Sequence, residues 1–297
     1  MNLSTPRIAS IILLCGLAPA CVAAAQGNTA DPTTEARAIA AAALDAKVTP
    51  QERESALRRR PDLAPAIVRE MTNALGQDQK EEYRRIPAIW RASIEMSRRN
   101  HAAEIRQLLH VALPQPDAPL RHWQAVVIGG GVINALGERD LYPRQRTLEI
   151  MGDDAALRAR WERSIDLAFP MAHDPAVPHG TRYDALRMIA MADPARAIPA
   201  LQRYLPKETN AELQMGAVSA LADLPSPDVP ALLIAALPHL TPGNRKLALD
   251  GLLRDEPRAK ALRHAIDAGQ LDRAALSAEQ AQRLDAPPKT PSRSNAQ

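Results

Sequence analysis

Residues 213–237, LQMGAVSALADLPSPDVPALLIAAL, contain an apolar helix, a turn with Asp and Pro, and a second apolar helix. The same order occurs in residues 182–205 and in residues 244–266. One alanine of the first helix recurs at steps of 32 and 31 residues, as Ala185, Ala217 and Ala248. A helix pair cannot bury both of its apolar faces alone, so stacked copies are needed to form a continuous core. The repeat therefore predicts an all-α fold, an α-solenoid of helix pairs.

The composition of the 297-residue chain supports helices throughout. Aromatic residues make up 3% of the chain, whereas antiparallel β-folds depend on aromatic and β-branched residues. There are 26 prolines, which predict many short helices with frequent breaks. Helices are expected over residues 35–46, 50–59, 62–75, 78–99, 101–113, 118–137, 141–151, 154–172, 179–192, 195–205, 209–223, 227–237, 242–253, 257–268 and 277–284.

The repeated pairs resemble HEAT repeats: the turn residues Asp193-Pro194 and Asp228, and prolines early in the second helix such as Pro199 and Pro230, fit that repeat. This resemblance implies that the solenoid is a HEAT-like one. The repeats at 179–284 are the clearest, and residues 35–178 are expected to form a helical region with degenerate repeats.

Residues 118–284 also resemble the HEAT-repeat region of exported, haem-binding membrane-bound dehydrogenase proteins of the PVC type. The most specific parts are AIDAGQL at 265–271 and LSAEQAQRL at 276–284. The resemblance implies a helical scaffold and export. It carries over no redox chemistry and no cofactor, because the chain contains no C-x-x-C-H haem site.

The N-terminus predicts a secretory signal peptide over residues 1–25. A basic residue, Arg7, precedes an apolar run that ends in small residues, and cleavage is expected after Ala25. The expected location is periplasmic or secreted, with no membrane span after cleavage; a retained anchor and a lipoprotein modified at Cys21 are the alternatives. Residues 26–34 are predicted to be a flexible lead-in, and the Pro- and Ser-rich residues 285–297 a disordered tail.

Both cysteines, Cys15 and Cys21, lie in the predicted signal peptide. Its removal would leave no thiol, which excludes disulfides, thiol catalysis and Cys-ligated metals from the mature chain. The net charge of the whole chain is only +3. Near-neutral charge and expected export argue against nucleic acid as a partner.

Residues 129–131 are three consecutive glycines within an apolar run. No strand pattern precedes them and no Lys-Ser/Thr follows, so a phosphate-binding loop is not indicated. We interpret them as a place where helices pack closely or a helix breaks. Two acidic pairs occur, at Glu81-Glu82 and Asp153-Asp154, and the second is expected to cap a helix.

The seven histidines form no compact metal-ligand motif. The nearest to a metal cluster is His173-Asp174 with His179, and together with His122 these residues define a less favoured hypothesis of a metal-dependent enzyme in residues 114–180. Trp123 and Trp161 are expected in the core.

One candidate binding surface lies in the predicted helix 78–99. Arg84, Arg85 and Arg91 flank Tyr83 and Trp90, and together they could form a basic, aromatic ledge for an acidic ligand or a partner peptide. The alternative is a set of solvated helix faces whose arginines are balanced by nearby glutamates.

The sequence thus predicts an exported, non-catalytic scaffold that binds a protein partner through its solenoid surface. An accessory subunit of an exported redox complex is the second hypothesis, and it rests on the resemblance alone. No cofactor, metal site or catalytic residue is assigned.

Overall fold

The computed structural model describes residues 31–286 except residues 74, 77 and 140. The predicted signal peptide, both cysteines, most of the lead-in and the tail beyond residue 286 lie outside the described residues. The described part is all-α and contains no strand. Its α-helices are α1 (Pro32–Leu44), α2 (Pro50–Arg59), α3 (Ala64–Thr72), α4 (Gln79–Ser97), α5 (Ala102–Ala112), α6 (His122–Ala125), α7 (Asn134–Gly137), α8 (Pro143–Met151), α9 (Ala155–His173), α10 (His179–Ile189), α11 (Pro194–Gln202), α12 (Ala211–Asp223), α13 (Val229–Ala236), α14 (Pro242–Leu252), α15 (Glu256–Asp267) and α16 (Ala278–Asp285).

Helices α6 and α7 are joined without a break by the π-helical residues Val126–Ile133. We call the whole of residues 122–137 the central helix. The predicted helix over 118–137 therefore exists, but it starts at residue 122 and its middle is π-helical rather than α-helical. The three glycines lie in that wider middle part.

Local signals set most of the helix ends. Helix α2 has the predicted bounds, because Thr49 caps its N-terminus reciprocally with Glu52. Helix α1 begins at Pro32, so the last three residues of the predicted lead-in are helical; proline already has the backbone angle of a first helical turn. Asp285, assigned to the predicted tail, closes helix α16.

The helices that carry the site contact one another in series. Helix α4 packs on the central helix, the central helix on α10, α10 on α12, and α12 on α14. The repeated alanines Ala185, Ala217 and Ala248 are fully buried in the last three of these helices. Trp123 and Trp161 are buried as expected.

A buried amide pair joins the neighbouring helices α12 and α14. The Gln214 amide nitrogen donates to the carbonyls of Leu205 and His239, at 3.1 and 3.2 Å. Its oxygen accepts from the Asn244 side chain at 2.9 Å and from the Thr241 backbone at 3.0 Å. These hydrogen bonds satisfy the buried polar groups and also fix the spacing of the two helices.

The glycines of the central helix let it approach both of its neighbours. A Cβ on Gly129 would lie 2.2 Å from the Asp184 carbonyl oxygen of α10. A Cβ on Gly131 would lie 2.6 Å from the Ser93 side chain of α4. The predicted close packing of helices at these glycines is therefore confirmed.

A buried cluster of charged side chains lies at the ends of α7 and α12. Asp223 pairs with Arg187 at 2.5 Å and with Arg254 at 2.6 Å, and all three side chains are buried. Arg254 also donates to the carbonyls of Gly137 and Ala222, at 2.8 and 2.6 Å. One guanidinium thus connects three segments that are distant in the chain.

In the part of the chain that the structure describes, no helix combines the length and the apolar character that crossing a membrane requires.

Substitution of Gly129 by Ala is expected to lower the free energy of unfolding by about 3 kcal/mol, because the new methyl group must push the central helix away from α10. Gly243 in α14 has open space around its Cβ position and provides the matched control. Its substitution by Ala is expected to raise stability by about 0.5 kcal/mol. Urea denaturation followed by circular dichroism measures both; equal effects would contradict the packing role of Gly129.

Substitution of Arg254 by Met is expected to cost about 3 kcal/mol, because it removes one partner of a buried charge and leaves the Gly137 carbonyl without its donor. Arg196 forms an exposed ion pair with Asp166 and serves as the control. The corresponding Arg196→Met change is expected to cost less than about 1 kcal/mol. Denaturation midpoints that shift alike in the two variants would argue against a structural role of the cluster.

Candidate functional site

A cavity of about 490 Å³ opens between α4, the central helix, α10 and α12. Three aromatic rings and two carboxyl groups line it, and no basic side chain of the described residues does. The residues that give it this character are Tyr83, Trp90, Tyr183, Asp184, Glu212 and Met215. Its volume lies within the usual range of ligand pockets.

Asp184 is the most unusual residue of the cavity. Its side chain lines the cavity although only 7% of the residue is exposed, and among the described residues it forms no ion pair and accepts no hydrogen bond. Burial raises the pKa of this carboxyl well above its usual value; the nearby Arg187 guanidinium opposes the rise and the Glu212 carboxylate adds to it. Buried carboxylates are normally paired, so this one needs an explanation.

The absence of a side chain at Gly130 leaves room for the Asp184 carboxyl group beside the Trp90 ring. A Cβ there would lie 2.5 Å from the Asp184 Oδ1 and 3.1 Å from the Trp90 Cδ1. The indole nitrogen of Trp90 donates to the Gly130 carbonyl at 3.0 Å, which fixes the ring beside the carboxyl group. The glycine therefore brings the carboxylate and the indole together at the wall of the cavity.

Tyr83 closes one side of the cavity and contacts His122. The hydroxyl of Tyr83 hydrogen-bonds to the His122 Nδ1, and the two rings meet edge to face with centroids 5.0 Å apart. Burial raises the pKa of Tyr83 and lowers the pKa of His122. Both groups are therefore neutral near pH 7, and they add no charge to that of the two carboxyl groups.

The structure places the five residues of the predicted ledge in different surroundings. Tyr83 and Trp90 line the cavity, whereas Arg84 and Arg85 both pair with Glu81 and donate to the carbonyls that end α1 and α3. Arg91 stacks on the Trp90 ring at 4.8 Å and does not line the cavity. The two aromatic members of the predicted ledge thus line a cavity that also contains two acidic groups.

The glutamate pair of α4 has structural partners. Glu81 holds Arg84 and Arg85, and these two guanidinium groups lower its pKa to about 2. Glu82 is buried and accepts a hydrogen bond from the Trp123 backbone at 2.8 Å and from Arg121 at 2.6 Å. Glu82 thereby satisfies a free N–H at the start of the central helix.

The histidines of the enzyme hypothesis do not converge. His122 contacts Tyr83, His173 contacts the Tyr204 hydroxyl at 2.6 Å, and His179 lies 3.3 Å from the Asn210 amide. Among the described residues, no group of three His, Cys, Asp or Glu side chains is placed to hold a metal ion. Asp154 caps α9 by accepting from the Leu157 backbone at 2.9 Å, as expected.

A larger cavity of about 910 Å³ lies between α13 and α15 and is lined by five prolines. Its charged side chains already have partners. Asp255 accepts from the Tyr142 hydroxyl, and Arg258 donates to the Ala222 carbonyl at 2.7 Å. Since its carboxylate and its guanidinium are both engaged within the described part of the protein, the smaller cavity is the better candidate.

Four residues of the cavity were not predicted from the sequence: Asp184, Tyr183, Glu212 and Met215. A signal for Asp184 was present in the repeat. When the repeated alanines are aligned, Asp184 corresponds to Gly216 and Leu247, so an ionisable residue occupies a position that is small or apolar in the other two units. An ionisable residue at a buried repeat position is a sign of function. The sequence does not show which residues of other helices lie next to it.

No family model, no curated protein and no solved structure matches the chain.

Substitution of Asp184 by Asn is expected to raise the free energy of unfolding at pH 8 by about 1–3 kcal/mol, because it removes a buried charge without a partner. A carboxyl with a raised folded-state pKa destabilises the fold as pH rises from its usual value of about 4 through the folded value. The gain should therefore vanish near pH 4, where both variants are neutral. Thermal unfolding between pH 4 and pH 8 measures it.

Asp154 provides the control, because its substitution by Asn is expected to change the stability at pH 8 in the opposite direction. Its pKa is lowered by the Leu157 backbone and by Arg106, so its charge stabilises the fold at neutral pH. Asp154→Asn should lower the melting temperature at pH 8 and have less effect at pH 4. A melting temperature of Asp184→Asn at or below that of the unaltered protein at pH 8 would contradict the assignment.

Proposed function

We propose that the protein is an exported, non-catalytic scaffold of HEAT-like helix pairs that binds a protein partner at the surface around the Asp184 cavity. The binding site is formed by α4, the central helix, α10 and α12 together. The partner is recognised by geometry and contact, and no reaction is assigned to the chain.

The solenoid part of the proposal is supported by the order of helix contacts. Helices α10, α12 and α14 are the first helices of the three sequence repeats, and each packs on the next. The second helices α13 and α15 also contact each other. Contacts between neighbouring units are what a stack of helix pairs requires.

One observation carries the binding proposal: Met215 is the large hydrophobic residue that the described part of the chain exposes, at 36%, and it lies at this cavity. Exposed methionine is frequent at protein-binding surfaces because its flexible side chain adapts to a partner. Here it adjoins the aromatic rings of Tyr83 and Tyr183, and aromatic residues are enriched in the centres of interfaces.

The non-catalytic part is supported by the partners of the histidines. His122 and His173 are each bonded to a tyrosine hydroxyl, and burial lowers the pKa of both imidazoles. A general base must reach the proton that it abstracts, and in both histidines the Nδ1 atom is engaged by the tyrosine hydroxyl. Export is supported by the sequence of residues 1–25 alone.

A photo-crosslinking amino acid at residue 215 tests the proposal. With p-benzoylphenylalanine in place of Met215, irradiation of cells that make the protein is expected to give a discrete adduct with one protein species. The same amino acid in place of Gln282, an exposed residue of α16, is the matched control. Identical adduct patterns at the two positions, or none at residue 215, would contradict partner binding at the cavity.

A further inference from the structure

We propose that the Asp184 cavity binds an organic cation, an ammonium or guanidinium group that enters between the aromatic rings and meets the Asp184 carboxylate. The proposal rests on the proposed function only in naming a side chain of the partner protein as the source of the cation. Cation binding itself is a property of this chain and is measured without the partner.

The charge of the cavity is the first argument. Asp184 and Glu212 both line it, and no basic residue of the described chain does, although 37 of the 297 residues are Lys or Arg. Elsewhere the carboxyl groups of α4 and α12 have cationic partners, as in the Glu81–Arg84 and Asp223–Arg254 pairs. A cation is therefore the group that the cavity lacks.

The burial of Asp184 is the second argument. Asp184 lines the cavity, the residue as a whole is nine-tenths buried, and its carboxylate accepts no hydrogen bond from the described residues. Leaving a carboxylate in such a place is costly, whereas a cation with N–H donors would supply both a counter-charge and hydrogen bonds. Because Trp90 and Gly130 fix the surroundings, the carboxylate would need little rearrangement to bind it.

The aromatic lining selects an organic cation. Trp90, Tyr83 and Tyr183 surround the same space, and the faces of such rings attract ammonium and guanidinium groups. Trp90 already shows this preference, since the Arg91 guanidinium stacks on it at 4.8 Å. The cavity volume of about 490 Å³ leaves room for the alkyl part of a lysine or arginine side chain.

A metal ion fits the site less well. Magnesium and calcium require several hard oxygen ligands that converge on one point, and no group of three candidate ligands converges among the described residues. The other lining residues are largely aromatic or aliphatic, as are Tyr83, Trp90 and Ile86. The lining therefore favours a cation that carries its own apolar surface.

Calorimetric titration of the purified protein tests cation binding directly. The probes are N-acetyl-lysine methylamide and its Nε-acetylated counterpart, which has a similar shape and no charge. We expect saturable binding of the charged probe and at least 10-fold weaker binding of the neutral one. Cadaverine forms a second arm: binding at least 10-fold tighter than that of the lysine probe would indicate a free diamine as the ligand and would overturn the partner side chain as the source.

Two variants locate the site. Asp184→Asn removes the charge and keeps the shape, and should weaken binding of the charged probe at least 10-fold while the protein stays folded by circular dichroism. Asp166→Asn removes an exposed carboxylate on α9 that does not line the cavity, and should leave the affinity unchanged. Equal affinities in the unaltered protein and Asp184→Asn, or no binding of any cationic probe, would overturn the proposal.

The crosslinking result separates the two proposals. A specific adduct at residue 215 together with no cation binding leaves the scaffold proposal standing and removes the cation. Cation binding without an adduct removes the partner and leaves the site.

Discussion

The close approach of the central helix to α10 is the constraint on which the site depends. The Asp184 carbonyl lies where a side chain of residue 129 would begin, so only glycine allows the two helices to meet at this distance. The next glycine brings the Asp184 carboxyl and the Trp90 indole together, and the third admits Ser93 of α4. Three consecutive residues thus set the positions of both walls of the cavity.

The arginines explain a second part of the architecture. Many of them donate to carbonyls at the ends of helices, as Arg84 does to Leu44, Arg139 to Arg98 and Arg245 to Leu237. The last turn of a helix leaves such carbonyls without partners, and glycine-based turns are the common solution. Here an arginine side chain from a neighbouring segment donates to these carbonyls and thereby connects one helix to the next. A high arginine content is therefore part of how the pairs are joined.

Sequence alone predicted the features that depend on local patterns. The helices, their capping residues and the repeated alanines follow from spacing and from the chemistry of helix ends, and the structure confirms an all-α chain. The π-helical part of the central helix was not predicted, because its wider turns depend on what packs against them. The solenoid and the export of the chain stay predictions.

The candidate site was only partly predictable. Tyr83 and Trp90 were found because they adjoin the arginines of α4, and the seven-residue step between them places both on one face of that helix. The same periodicity places Arg84 and Arg85 elsewhere on that helix, which the ledge hypothesis did not use. Asp184 was missed because its significance comes from residues of other helices, and no single segment contains that information.

The glycines of the central helix also bear on how the molecule assembles. Residues 126–133 have little tendency to form a helix alone, since glycine is among the weakest helix formers and short helices are marginal in water. The helical form of this segment therefore depends on packing against α4 and α10. The walls of the cavity exist only while these helices are packed together. A ligand of this cavity would accordingly bind the folded chain and not the unfolded one, and would stabilise the fold by mass action.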